Sequence, residues 1–245
     1  MAREIFEKTV LILGANSDVA KEALRLYVNK GYRVIAASRS TNQLQLFVDQ
    51  NIANKSAVDI RYFDAVAFDT HREFYDTLPA KPQIVLYAAG FQVTNDEALV
   101  SWEGTYQMIN VLYAGAVSIL NIVAMDSSNK NLERIVGLSS LSGVRGRRSN
   151  FIYGSTKSAF TQYLAGLRQY LFPRKVQVNA IVSGYIRSKL TAGLELTPSL
   201  MLEPSFVAAA IVNAGNVLII VPGWKWKIIY FILKSLPESL VAKLP

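Results

Sequence analysis

The chain has 245 residues, 51% of them apolar and 18% charged, with a formal net charge of +8. That is enough apolar material for one large core, and a single domain is the natural reading of an α/β chain of this length. The absence of cysteine and the presence of only one histidine, His71, exclude disulfides, thiolate chemistry and multi-histidine metal centres, and no metal is expected.

Met1 to Lys8 is too short and too charged for the apolar stretch of a signal peptide, so a cytoplasmic setting is expected. Short β-branched runs then alternate with longer amphipathic stretches, the pattern of parallel strands joined by crossover helices. Strands are expected at 9–13, 33–37, 58–63, 83–87, 133–138, 176–182 and 217–221, and helices at 18–29, 41–51, 69–77, 97–125, 150–172 and 204–213. The runs at 10–13 and 217–221 are apolar throughout, which predicts strands buried on both faces. The fold class is therefore α/β, a doubly wound parallel sheet of about seven strands with helices on both faces. Thr70-His-Arg-Glu73 reads as a capping box that opens a helix, which gives His71 a structural role. The charge favours anionic partners in general, but no nucleic-acid-binding motif stands out and no nucleic acid is expected.

Two groups of residues carry chemistry. From Thr9 through Gly14, Asn16, Ser17, Asp18 and Val19 the chain reads as strand, tight turn and helix start, where backbone N–H groups can hold a diphosphate; an ordinary strand-helix corner reads the same way. The second strand ends in Ser38 and Arg39, a hydroxyl and a guanidinium suited to a phosphate. Farther on, Ser140 follows the fifth strand, and Tyr153 and Lys157 are spaced to lie a turn apart on one helix face. A phenol with a pKa of about 10 is a poor acid-base at neutral pH, and a nearby ammonium can lower that value. Lys157 is expected to supply it.

These segments resemble the short-chain dehydrogenase/reductase family over roughly residues 7–221. Gly14 stands at the first glycine of that family's Thr-Gly-x-x-x-Gly-x-Gly turn, with Asp18 and Ala20 at the other two, and Ser183 stands where relatives usually have proline. The resemblance implies a Rossmann-like fold and a carbonyl chemistry in which Tyr153 donates the proton, Ser140 orients the oxygen and Lys157 also holds the nicotinamide ribose. Asn110 matches the asparagine that anchors the family's proton-relay water. It further implies a cofactor held by Gly14, Asn16, Ser17, Asp18, Val19, Ser38, Arg39, Asp64, Ala65, Ala89, Gly90, Tyr153, Lys157, Gly184, Ile186 and Ser188. NAD-dependent relatives carry an acidic residue where this chain has Ser38 and Arg39, which points to NADP(H) over NAD(H). Relatives also pair their two long helices, here 97–125 and 150–172, which implies a homodimer or homotetramer.

The last expectations concern the substrate. Arg145, Arg147 and Arg148 lie between Ser140 and Tyr153 and are expected beside the substrate entrance, either as a solvated loop or as an anion-binding group. Beyond a domain at 1–223, the amphipathic tail at 224–245 is aromatic, aliphatic and lysine-bearing from 224 to 236, short of the roughly 20 residues needed to span a bilayer. It fits an interfacial anchor giving peripheral contact with the inner face of a membrane, and equally a core-docked or dimer-forming segment. The Ser-Asp pair in the turn, Tyr-Phe-Asp-Ala followed by Asp-Thr-His, and the Leu-Pro end more loosely resemble the reductases of decaprenylphosphoryl-2-keto-pentoses, which implies a lipid-linked keto-sugar. Small ketones, 3-oxoacyl chains and a non-catalytic nucleotide-binding scaffold of the same fold remain open.

Overall fold

The computed structural model describes residues 8–193 and 196–243; the first seven residues and the last two of the 224–245 tail lie outside the described residues. Among these, seven strands form one parallel sheet: β1 (Thr9–Leu13), β2 (Arg33–Ser38), β3 (Val58–Tyr62), β4 (Ile84–Tyr87), β5 (Arg134–Ser140), β6 (Gln177–Ser183) and β7 (Ile219–Ile220). Their order is β3-β2-β1-β4-β5-β6-β7. The crossover helices are α1 (Asp18–Asn29), α2 (Thr41–Asn51), α3 (His71–Asp76), α4 (Asn95–Val100), α5 (Trp102–Ile109), α6 (Gly115–Met125), α7 (Phe151–Leu171) and α8 (Pro204–Val212). Two short helices, α9 (Trp224–Ser235) and α10 (Glu238–Val241), close the series.

The central strands are apolar on both sides because both sides are covered. One core layer joins Leu24, Tyr27, Leu44, Val207 and Ile211 to the sheet, and the other joins Ile119, Leu120, Phe160 and Leu164 to its opposite face. Every residue of β1 is buried. The chain winds outward from β1 to β3, then returns to place β4 on the other side of β1. Loops after these two strands separate at their carboxyl ends, the position where open α/β sheets hold ligands.

Three features differ from the expectation. The helix expected at 97–125 is interrupted at Ser101, which is extended at φ −128° and ψ 111°, and again by a π-helical turn at Asn110–Ala114. The apolar periodicity runs across both interruptions, so the pattern reads as one helix. The strand expected at 217–221, buried on both faces, shrinks to Ile219–Ile220, both only half-buried, with Val217 exposed. Its cause is position: β7 pairs only with β6 and forms the sheet's edge. The capping box at Thr70 is absent, because Thr70 is itself helical and its hydroxyl donates to the Ala67 carbonyl over 2.8 Å. His71 is structural for a different reason. It is fully buried, with Nδ1 2.9 Å from Ser118 Oγ and Nε2 2.9 Å from the Asp64 carbonyl, and burial holds its pKa below the usual value.

Candidate active site

The loops after β1 to β6 enclose a cavity of about 650 Å³. One end is built around Gly14. Its φ of +82° is a left-handed conformation, and a Cβ there would overlap the Ala89 backbone at the end of β4. Glycine is required on both counts, which is why the turn after β1 can lie flat against the loop after β4. The amides of Gly14 and Ala15 donate to the Ala37 carbonyl over 2.9 and 3.0 Å, and Ser17 caps α1 without a side-chain hydrogen bond. That leaves the first-turn amides directed to the cavity end without a side-chain cap.

Asn16 ties this turn to the second strand. Its Nδ2 donates to Ser38 Oγ at 2.7 Å and to the Ser40 carbonyl at 2.8 Å, while its buried Oδ1 has no partner among the described residues. Ser38 Oγ also accepts from the Ser40 amide, so its acceptor capacity is used and its own hydrogen is available to donate. Arg39, Asp64 and Ala65 complete this wall. Asp18 contributes differently from a glycine: its Oδ2 accepts the Lys189 amide at 2.8 Å and so joins α1 to the loop after β6.

The other end holds Ser140, Tyr153 and Lys157. Tyr153 and Lys157 project from one face of α7, and the segment after β5 is pressed against that helix at Gly143 and Gly154, where any Cβ would collide with Ser158 or Ser142 backbone atoms. This close approach sets Ser140 within hydrogen-bonding reach of the Tyr153 hydroxyl. Ser139 Oγ, 2.6 Å from Thr161 Oγ1, fastens the same strand to the same helix.

Burial dominates the electrostatics here. It pushes the Tyr153 phenol up to about 12, against the smaller opposing effect of the Ser140 hydrogen bond. It also pulls the Lys157 ammonium down to about 8. Lys157 is 5% exposed and its Nζ donates to the Leu138 carbonyl over 2.8 Å, lying 5.8 Å from the centre of the Tyr153 ring. The spacing predicts a phenol lowered by its lysine; instead desolvation of the phenol outweighs its neighbours and raises it.

The expected residues Gly14, Asn16, Ser17, Asp18, Val19, Ser38, Arg39, Asp64, Ala65, Ala89, Gly90, Ser140, Tyr153, Lys157, Gly184, Ile186 and Ser188 all line this one cavity. Asn110 does not. It is buried behind the wall, its carbonyl accepting the Gly115 amide at the end of the π-helical turn, while Val111 and Leu112 face the cavity. The Tyr87 hydroxyl donates to the Val111 carbonyl over 2.5 Å and pins that turn to the end of β4. The three arginines are also absent from the wall: Arg145 reaches the Leu236 carbonyl and Glu238, and Arg147 reaches Ser142 Oγ at 3.3 Å. Residues not singled out in the sequence include Phe91, Val93, Tyr185 and Leu190, which give the outer part of the cavity an apolar lining, and Asn150, whose Nδ2 donates to Ser142 Oγ over 2.9 Å. No motif marks them, because each comes from a loop.

An uncapped helix N-terminus and a serine, a tyrosine and a buried lysine, joined by one cavity at the switch point of a parallel sheet, define a dinucleotide-dependent oxidoreductase architecture. The chain belongs to the short chain dehydrogenase family, whose profile matches residues 8–198. It is 29% identical over 192 residues to an uncharacterized oxidoreductase of Myxococcus xanthus, covering 77% of this chain and 76% of that one. An uncharacterized oxidoreductase of Mycobacterium tuberculosis is 27% identical over 246 residues, with 96% of both chains covered. Among solved structures, a short chain dehydrogenase from Burkholderia cenocepacia in complex with NADP superposes with a TM-score of 0.83 at 17% identity, covering 97% of this chain and 98% of that one. An actinorhodin polyketide ketoreductase with NADPH gives a TM-score of 0.77 at 16% identity, covering 87% of this chain and 95% of that one.

Proposed function

We propose that the protein is an NADP(H)-dependent reductase that interconverts a ketone and a secondary alcohol. The observation that carries this reading is the opening of the Ser140, Tyr153 and Lys157 side chains into the same cavity as the uncapped start of α1. The residues fit a dinucleotide: uncapped amides suit a diphosphate, the Ser38 hydroxyl has a hydrogen to donate, and Arg39 adds a guanidinium where a 2′-phosphate would sit. NAD(H) would leave that guanidinium without its counter-charge. The NADP and NADPH in the structural neighbours named above support the same choice.

Bound there, a nicotinamide nucleotide supplies the hydride. The chain's own residues manage the proton and the oxygen. Tyr153, protonated at neutral pH because its pKa lies near 12, donates its hydroxyl proton toward the substrate oxygen. Ser140, within reach of that phenol, turns its hydroxyl to the same oxygen and holds it in line. As charge develops on the phenolate, the Lys157 ammonium, 5.8 Å from the ring centre, stabilises it while one of its three N–H donors is engaged by the Leu138 carbonyl.

Phe91, Val93, Tyr185 and Leu190 favour a carbonyl compound with an apolar body, such as a small ketone or a 3-oxoacyl chain. A lipid-linked keto-sugar finds less support, because none of the three arginines lines the cavity and Arg145 is taken by Leu236 and Glu238. A buried lysine with a depressed pKa that opens into the same cavity as Ser140 and Tyr153 favours catalysis over a non-catalytic scaffold of the same fold. The exposed Leu99, Val100, Trp102 and Tyr106 on α4 and α5, with Phe151, Tyr170 and Phe172 at α7, favour a homodimer or homotetramer built on these helices.

The reading is tested by titrating NADPH and NADH against the protein and then offering a panel of ketones. NADPH is expected to bind more tightly, and Arg39→Ala to weaken it by about ten- to a hundredfold while leaving NADH nearly unchanged. Failure to bind NADPH at millimolar concentration ends the proposal.

A further inference from the structure

We propose that the outer face of α9 docks on an anionic bilayer surface. Trp224, Ile228, Phe231 and Ile232 recur at i, i+4, i+7 and i+8, which places them in one stripe, and they are 68, 51, 67 and 51% exposed. Trp226 and Leu233 lie on the opposite side and are buried. The Trp226 indole packs edge-on against Tyr185 at 5.1 Å, and its Nε1 donates to the Leu200 carbonyl over 2.8 Å. The inner face thus fixes the helix to the body, and the outer face is a second apolar surface that the body does not use.

Its charges identify the occupant. Lys225 lies along one edge of the stripe, and Lys227 and Lys234, seven residues apart, lie along the other. Lys225 reaches the Ser199 carbonyl over 3.0 Å, whereas Lys227 and Lys234 have no carboxylate within salt-bridge distance among the described residues. The helix itself carries no acidic residue, and the nearby Glu238 lies 3.6 Å from the Arg145 guanidinium. A second copy of the chain laid on this stripe by a two-fold axis would bring like lysines together with nothing to neutralise them. A layer of lipid phosphates pairs with both edges while the stripe enters the acyl boundary, the arrangement that interfacial helices use. At 12 residues the helix lies on a bilayer and is too short to cross it. The one described stretch long and apolar enough to cross, Trp102–Met125, has its apolar side chains Ile119, Leu120 and Val123 in the core instead.

This proposal is independent of the reaction and is tested on the full chain with sedimented vesicles. Vesicles of phosphatidylglycerol and phosphatidylcholine are expected to carry the protein down, and vesicles of phosphatidylcholine alone to leave it in solution. Replacing both Lys227→Gln and Lys234→Gln is expected to lower partitioning roughly thirtyfold, from about fivefold per lysine near an anionic surface. Phe231→Ser with Ile232→Ser is expected to lower it by at least about tenfold. Both pairs are exposed, so NADPH binding and the melting temperature should not move. On the unaltered chain, vesicles should slow amide exchange across 224–235. Equal partitioning of all variants, or equal recovery on neutral vesicles, overturns the proposal. So does a wild-type dimer in sedimentation velocity that the Phe231 and Ile232 changes dissociate, which would assign the stripe to a second copy.

Discussion

The two ends of the cavity use polar groups in opposite ways. At the nucleotide end, Asn16, Ser38 and Ser40 bond to one another, and Asp18 is held by the Lys189 amide. At the reaction end, Tyr153 and Lys157 are desolvated, with pKa values near 12 and near 8. Binding a charged ligand needs donors already fixed in place, whereas moving a proton needs groups held away from their solution behaviour. The first end is built for order and the second for reactivity at some cost to the fold.

Removing the Tyr153 hydroxyl at the reaction end should therefore harm turnover while sparing both cofactor binding and stability. Tyr153→Phe is expected to lower kcat about a thousandfold with little change in NADPH affinity. Retained turnover would show that the proton comes from elsewhere.

Lys157→Met separates reactivity from stability within one residue. Reduction should fall on the order of a hundredfold, yet the protein should resist urea better. The folded pKa is near 8 against 10.5 when unfolded. Below pH 8 both states are charged and the folded state bears the full burial cost; between pH 8 and 10.5 the unfolded chain binds more protons, so stability rises with pH. The substitution should add on the order of 1–3 kcal/mol at pH 7 and abolish that slope in unfolding curves taken from pH 7 to 10.5. A loss of stability at pH 7 would mean that the Leu138 hydrogen bond outweighs desolvation.

The smallest effect is expected at the nucleotide end. Asp18→Asn keeps an oxygen for the Lys189 amide but removes a charge from the diphosphate side, so NADPH should bind roughly three- to fivefold more tightly, an advantage that shrinks with salt. An unchanged affinity would show that the Asp18 charge does not reach the diphosphate.

The strands were legible because β1, β2, β4, β5 and β6 are apolar runs bounded by turn residues, and the pairing of Tyr153 with Lys157 because a helix repeats every 3.6 residues. Periodicity is blind to events that leave it intact. The extended Ser101 and the π-helical turn at Asn110–Ala114 sit inside a continuous apolar pattern, and the second of these sets Asn110 behind the wall while turning Val111 toward the cavity. Depth was equally hidden: spacing gives the neighbour of Tyr153 but not its desolvation, which sets the direction of its pKa. Nor could local sequence reveal that Arg145 is claimed by Leu236 and Glu238, since their partnership spans 91 and 93 positions of chain.

Trp226 gives α9 a second consequence. Its indole occupies the space over Gly184 that any side chain would need, and Gly184 and Tyr185 belong to the cavity wall. The indole is thus a keystone: the strand end leading to Ile186 and Ser188 keeps its course because a residue from the far end of the chain rests on it. Truncation at 223 would remove that weight along with the outer stripe, and any loss of activity would then say nothing about which face of the helix was missed.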